Sequence, residues 1–163
     1  MVNVRFIDTG PEALGLVQPL WEKLNKHHLN QKSDFQEYYA NFTFPERKEV
    51  LLKKSNNKDM LISLAEDKDL GILVAYCITT ISRENEGEID SIYVEEKYRS
   101  LGVGRELMKR SLMWMDEKGT KIRKVMVAIG NQEAVSFYEG YGFHPRALRL
   151  EQPINHDKKV IND

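Results

Sequence analysis

Apolar and polar positions alternate at Val2, Val4 and Phe6, a period of two that predicts a strand over residues 2–8. The period then lengthens. Leu14, Val17, Trp21, Leu24 and His28 share one helical stripe, so residues 9–28 read as a helix, with Pro11 at a first helical position and a kink or break expected at Pro19. Phe35, Tyr38, Tyr39 and Phe42 keep helical spacing behind Ser33, a residue suited to capping, until Pro45 interrupts and a second short helix is expected near Glu46. This aromatic stripe fits either core packing or a flexible wall over a ligand.

From Met60 the pattern becomes that of strands. Residues 60–67 and 71–82 are apolar runs around "DKDLG", an expected antiparallel hairpin, and residues 87–94 are a further strand. Residues 102–118 return to helical spacing, with Val103, Leu107, Met108, Leu112 and Met115 inward and Gly119 as the stop. Residues 123–129 read as a buried strand, residues 131–141 as a short helix capped by Asn131, and the stretch from Gly142 as a last strand. The order β-α-α-β-β-β-α-β-α-β predicts an α/β sandwich with a mixed sheet. One domain is expected over residues 1–151, followed by a polar tail at 152–163 that frays.

Charge narrows the function. The formal net charge is −1, so no global field draws the chain to nucleic acid or to an anionic membrane, and any charge-driven binding must be local. No apolar run approaches the roughly 20 residues of a membrane span. The N-terminus has no signal-peptide core, so a cytoplasmic protein is expected. The single cysteine, Cys77, sits in apolar "LVAYCITT" and reads as a packing thiol. His27 and His28 are adjacent, so on a helix they point about 100° apart; no metal site is expected there.

One stretch concentrates positive charge. "YVEEKYRSLGVGREL", Tyr93 to Leu107, joins a strand end to a helix start through a turn with two glycines. Lys97, Arg99, Arg105, Lys109 and Arg110 face a single acid between them, Glu106. A helix start presents unpaired amides and the positive end of the helix dipole, and glycine permits close approach. Together these favour a pyrophosphate. The dinucleotide fingerprint would need a third glycine where Leu107 stands, and no Walker string occurs.

The chain resembles the GNAT N-acetyltransferase superfamily. "VEEKYRSLGVG" matches its R/Q-x-x-G-x-G/A signature after a strand, and "AIGNQEAVSFYEGYGFHP", Ala128 to Pro145, matches its downstream asparagine, F-Y helix and G-F. The resemblance implies a mostly antiparallel sheet of six to seven strands flanked by about four helices, and acetyl-coenzyme A as the cofactor. Backbone amides of Arg99, Ser100, Leu101, Gly102, Val103 and Gly104, with Arg105, would hold its pyrophosphate. Ile92, Tyr93 and Val94 would pair with the pantetheine arm where family sheets splay between the fourth and fifth strands. Asn131 would hold the cofactor near the thioester, and Tyr138 would sit beside the leaving sulfur. A homodimer is common in such proteins.

An alkylammonium of pKa about 10.4 must lose a proton before it attacks a carbonyl, at a cost of roughly 4.6 kcal/mol at pH 7. A positioned carboxylate eases that step. Glu88 and Asp90 are two apart on one strand face; Glu88 lies where some family members carry a base and is the preferred candidate, with Asp90 or a water as the others. Tyr138, a weaker acid than a thiol, reads as a hydrogen-bond donor to sulfur before a proton donor. The expected function is direct acetyl transfer to a primary amine: a small amine, an amino acid or a protein N-terminus. The alternatives are a non-catalytic acyl-CoA-binding module and an enzyme with a longer acyl donor.

Overall fold

The computed structural model describes residues 2–56 and 59–153. Strand β1 (Val4–Thr9) leads into a 3₁₀ segment (Pro11–Val17) and three helices, α1 (Gln18–Leu29), α2 (Gln36–Asn41) and α3 (Phe44–Lys54). Pro19 falls in the first turn of α1, so it begins a helix instead of kinking one. The expected helix over 9–28 therefore divides at Gln18. Helix α3 opens on Thr43, whose backbone N–H and hydroxyl both donate to the Glu46 carboxylate, at 2.8 and 2.9 Å.

Strands β2 (Met60–Asp67), β3 (Ile72–Ile81) and β4 (Glu86–Val94) follow as an antiparallel meander, and β1 pairs with β2. A 3₁₀ turn (Glu96–Tyr98) and helix α4 (Val103–Glu117) carry the chain over to β5 (Ile122–Val125), which pairs parallel to β4. Helix α5 (Gln132–Glu139) comes last. The sheet order is β1-β2-β3-β4-β5.

Alternation along the strands divides the core in two. On one face Leu14, Trp21, Phe44 and Leu51 from the first helices pack on Ile62, Leu64, Tyr76 and Ile78. On the other Leu107, Met108 and Met115 of α4 and Tyr138 of α5 pack on Ala65, Val74, Cys77 and Ile89. Each fully buried side chain of this size contributes about 2 kcal/mol. Gly87 sets how close α4 comes to β4: a Cβ there would lie 3.0 Å from the Met115 sulfur.

The α/β sandwich and mixed sheet agree with the sequence, but the strand count is lower. Five strands are present among the described residues, not six to seven. The strand expected over 123–129 ends at Val125, and the one expected from Gly142 does not pair. Phe143 still packs edge-on against Tyr138, with ring centroids 6.0 Å apart, but Pro145 brings no N–H, and Leu148 and Leu150 beyond it stand exposed. A strand pattern without a neighbouring strand has nowhere to place its backbone hydrogen bonds. The tail expected to fray lies outside the described residues from 154 onward.

Candidate functional site

The β3–β4 ladder carries one surplus residue. Ile78 faces Ser91 and Thr79 faces Ile89, which leaves Asp90 as a bulge on β4. On the opposite edge the β4–β5 ladder runs from Glu86 to Ile89 and stops one residue short of that bulge. Residues 91–94 of β4 are thus held by β3 on one side and have no strand on the other among the described residues. The two strands part where the resemblance expects an extended ligand to slot in beside Ile92, Tyr93 and Val94.

The turn after β4 is fixed from two directions. Tyr98 is buried and its hydroxyl donates to Asp67 Oδ2 at 2.6 Å, tying the turn to the β2–β3 connection. Arg99 Nε donates to the Val94 carbonyl at 2.9 Å, and its guanidinium lies 5.7 Å from the centre of the Tyr93 ring. Ser100 and Gly102 take positive φ values of 62° and 83°, and α4 begins at the next residue. No side chain among the described residues caps α4. The first amide of this region to find a backbone acceptor is that of Glu106, which donates to the Gly102 carbonyl at 3.0 Å. The amides of residues 100–105 have no protein acceptor among the described residues.

The basic residues sort by position. Arg110 pairs with Glu106 at 2.9 Å and Asp8 at 2.8 Å, and Lys109 lies 3.9 Å from Glu106. Lys97, Arg99 and Arg105, at the turn itself, are exposed and have no carboxylate partner among the described residues. Positive charge is neutralised one turn into the helix and left open at its start.

Helix α5 lines the same region. Asn131 caps it as the sequence predicts: Oδ1 accepts from the Ala134 amide at 3.2 Å, which leaves the side-chain NH₂ to donate elsewhere. Phe137 stacks edge-on against Tyr138 and Tyr141, each with centroids 5.2 Å apart, and reaches the position a Cβ on Gly104 would contact. Tyr138 is buried, and its hydroxyl has no hydrogen-bond partner among the described residues. Burial pushes that hydroxyl far above the ordinary tyrosine range, so it stays protonated and able to donate.

Glu88 and Asp90 do share a face, the one covered by α3. Lys54 Nζ donates to Glu88 Oε2 and lies 2.5 Å from Asp90 Oδ1. Thr80 Oγ1 donates to Asp90 Oδ2 at 2.5 Å, Arg47 Nη2 donates to the Asp90 carbonyl at 2.9 Å, and Tyr76 and Ser91 share a hydrogen bond of 2.7 Å beside them. Tyr138 belongs to the core on the opposite face. The two candidate catalytic groups therefore stand on different sides of the sheet. The partners of the carboxylates escaped the sequence reading. Arg47 and Lys54 are seven apart, two helical turns, so their shared face was available; which strand it meets was not.

The acetyltransferase (GNAT) family model matches residues 21–143, and the chain belongs to that family. An uncharacterized N-acetyltransferase of Methanocaldococcus jannaschii is 25% identical over 99 residues, 60% of this chain and 44% of that protein. The chain thus spans less than half the length of that relative. Among solved structures, a putative acetyl transferase from Pyrococcus furiosus superposes with a TM-score of 0.67 at 22% identity, covering 92% of this chain and all of that one. The PaiA N-acetyltransferase of Thermoplasma acidophilum, solved in complex with coenzyme A, superposes with a TM-score of 0.67 at 18% identity, over 90% and 93% of the two chains. These likenesses establish the fold.

Proposed function

We propose that the protein is an acetyl-CoA-dependent N-acetyltransferase that transfers acetyl directly to a primary amine. The observation that carries this reading is the conjunction of two open hydrogen-bonding surfaces: the uncapped amides of residues 100–105 and the unpaired edge of β4 from 91 to 94. The first suits a pyrophosphate and the second an amide-bearing chain, and they are contiguous through Val94 and Arg99. Coenzyme A carries both groups in that order, and the residues fit it. When bound, acetyl-CoA would supply the activated thioester.

The chain's own groups take the remaining roles. Arg99, Ser100, Leu101, Gly102, Val103, Gly104 and Arg105 bind the diphosphate, and Ile92, Tyr93 and Val94 align the arm. Asn131 donates its NH₂ to the arm near the thioester. A β4 amide beside Tyr93 donates to the developing oxyanion. The Tyr138 hydroxyl, kept protonated by burial, donates to the departing sulfur. Glu88 takes the acceptor's proton through its free Oε1.

The acceptor side lies with the first helices. A cavity of about 400 Å³ opens between α2, Phe42 and residues 151–153, with Asp34, Glu37, Glu46 and Glu151 among its walls beside Phe35 and Tyr38. Carboxylates and aromatic faces both suit a cation, which supports an amine acceptor with apolar character.

Acetyl-CoA is expected to raise the melting temperature, and Arg99→Glu to abolish that rise while leaving the melt of the free protein nearly unchanged. An amine panel assayed by thiol release then finds an acceptor, with Tyr138→Phe lowering kcat roughly tenfold or more. Protection by acetyl-CoA with no acceptor found would favour the binding-module alternative. No protection at millimolar cofactor would end the proposal.

A further inference from the structure

Glu88 does not stand alone. Its side chain is 11% exposed and that of Asp90 only 1%, and both contact the one ammonium of Lys54. Two carboxylates this close, one of them dry, cannot both stay ionised without a counter-ion. Asp90 is secured a second time by the Thr80 hydroxyl, and its backbone by Arg47. Glu88 has no such second partner: Oε2 is taken by Lys54, and Oε1 has none among the described residues.

We propose that Lys54 is a positioning residue for the transfer reaction: its ammonium, shared between Glu88 and Asp90, holds Glu88 by Oε2 and leaves Oε1 open to accept the proton of the acceptor amine. This rests on the reading of Glu88 as the base. The division of labour follows from the geometry. Asp90, bulged and buried, anchors Lys54; Lys54 in turn orients Glu88. Burial raises the Asp90 carboxyl, and the Lys54 charge is the largest force opposing that rise.

The other charged and titratable groups around the pair do not replace Lys54. Arg47, from the same helix, spends its Nη2 on the Asp90 carbonyl, not on a carboxylate. Lys124, opposite Glu88 on β5, is held by Glu86 at 2.8 Å and its side chain is 46% exposed, where solvent screens it. Tyr76, from β3, is buried, neutral and committed to Ser91.

Removing Lys54 therefore leaves two coupled carboxylates that take up one proton between them at a higher pH. The test is a carbon-13 NMR titration of the Asp and Glu carboxyl carbons in the full chain, with the two resonances assigned by their loss in Glu88→Gln and Asp90→Asn. Lys54→Met is expected to move the upper midpoint of the pair up by roughly 1–3 pH units. Lys54→Arg should track the parent. The double variant Lys54→Met/Asp90→Asn, which removes one carboxylate of the pair, should abolish that upward shift, a rescue that a merely packing role for Lys54 would not produce. If Lys54→Met does not give a cooperative melt at neutral pH, Lys54→Gln, a shorter neutral side chain that keeps a hydrogen-bond donor, replaces it. Superimposable titrations of the parent and the charge-deleted variant would overturn the proposal and leave the cofactor reading untouched. Full amine transfer by Glu88→Gln would instead remove the base assignment, whatever the titration shows.

Discussion

Cys77 is sealed beneath α4, with its Sγ 3.3 Å from Ser111 Oγ and no exposure to solvent. Burial pushes the thiol up to about 11. An unfolded chain would lose that proton near pH 9, so between pH 9 and 11 the unfolded state binds fewer protons than the folded one. Stability then falls as pH rises, by about 1.4 kcal/mol per unit and roughly 3 kcal/mol in all. Urea midpoints measured from pH 8 to 10.5 should drop steeply in the parent and less in Cys77→Ala; parallel slopes would show the thiol uninvolved. Tyr76 and Tyr138, also raised by burial, add to the decline above pH 10. Much at this scale was legible beforehand. An apolar run around Cys77 and an asparagine ahead of a helix are local signals, and local signals suffice for burial and capping. Lys54 was not legible, because its role exists only once α3 is laid across β4, and nothing in "VLLKKS" tells one lysine from its neighbour.

Strands β2, β3 and β4 and helix α4 fall within a residue of their sequence spans, whereas the helix expected over 9–28 divides and the strands expected after α4 fall short. The span of α4 matches its amphipathic pattern within a residue, since a helix makes its own hydrogen bonds and needs only one buried face. A strand's limits are set by its neighbour. The run over 123–129 keeps its apolar character to the end, yet pairing stops at Val125 because the bulge on β4 offers no ladder beyond Ile89. The bulge itself has no sequence signal: Asp90 lies within a strand pattern that reads straight through it. Gly102 shows what one backbone position contributes to the junction between β4 and α4. Its φ of 83° is left-handed, while the space a Cβ would enter is open. Gly102→Ala should therefore cost about 1–2 kcal/mol by conformational strain alone, measured as a shift in denaturant midpoint with unchanged slope. A cost near zero would mean the turn relaxes, and the thermal shift with acetyl-CoA should then weaken in proportion.

The molecule as a whole is nearly neutral, yet its fold is polar in the electrical sense. Cations without carboxylate partners gather at Lys97, Arg99 and Arg105, while acidic groups line the cavity beside α2. The two clusters would draw opposite ligands: a polyphosphate cofactor and a cationic acceptor. Calorimetry should find acetyl-CoA binding weakened several-fold between 50 mM and 500 mM salt, as screening shortens the reach of those cations, with a phosphate-free acetyl-pantetheine unaffected. Equal salt dependence for both would place the electrostatic contribution elsewhere. No helix among the described residues is long and apolar enough to cross a membrane.

Asp90 is a single unit of length added to one strand, and it lies where the fabric of the sheet comes unstitched. The opening is thus written into the weave and not into the loops around it. Helix α3 is laced to that seam by Arg47 and Lys54, so a change that tilts α3 pulls on the opening itself.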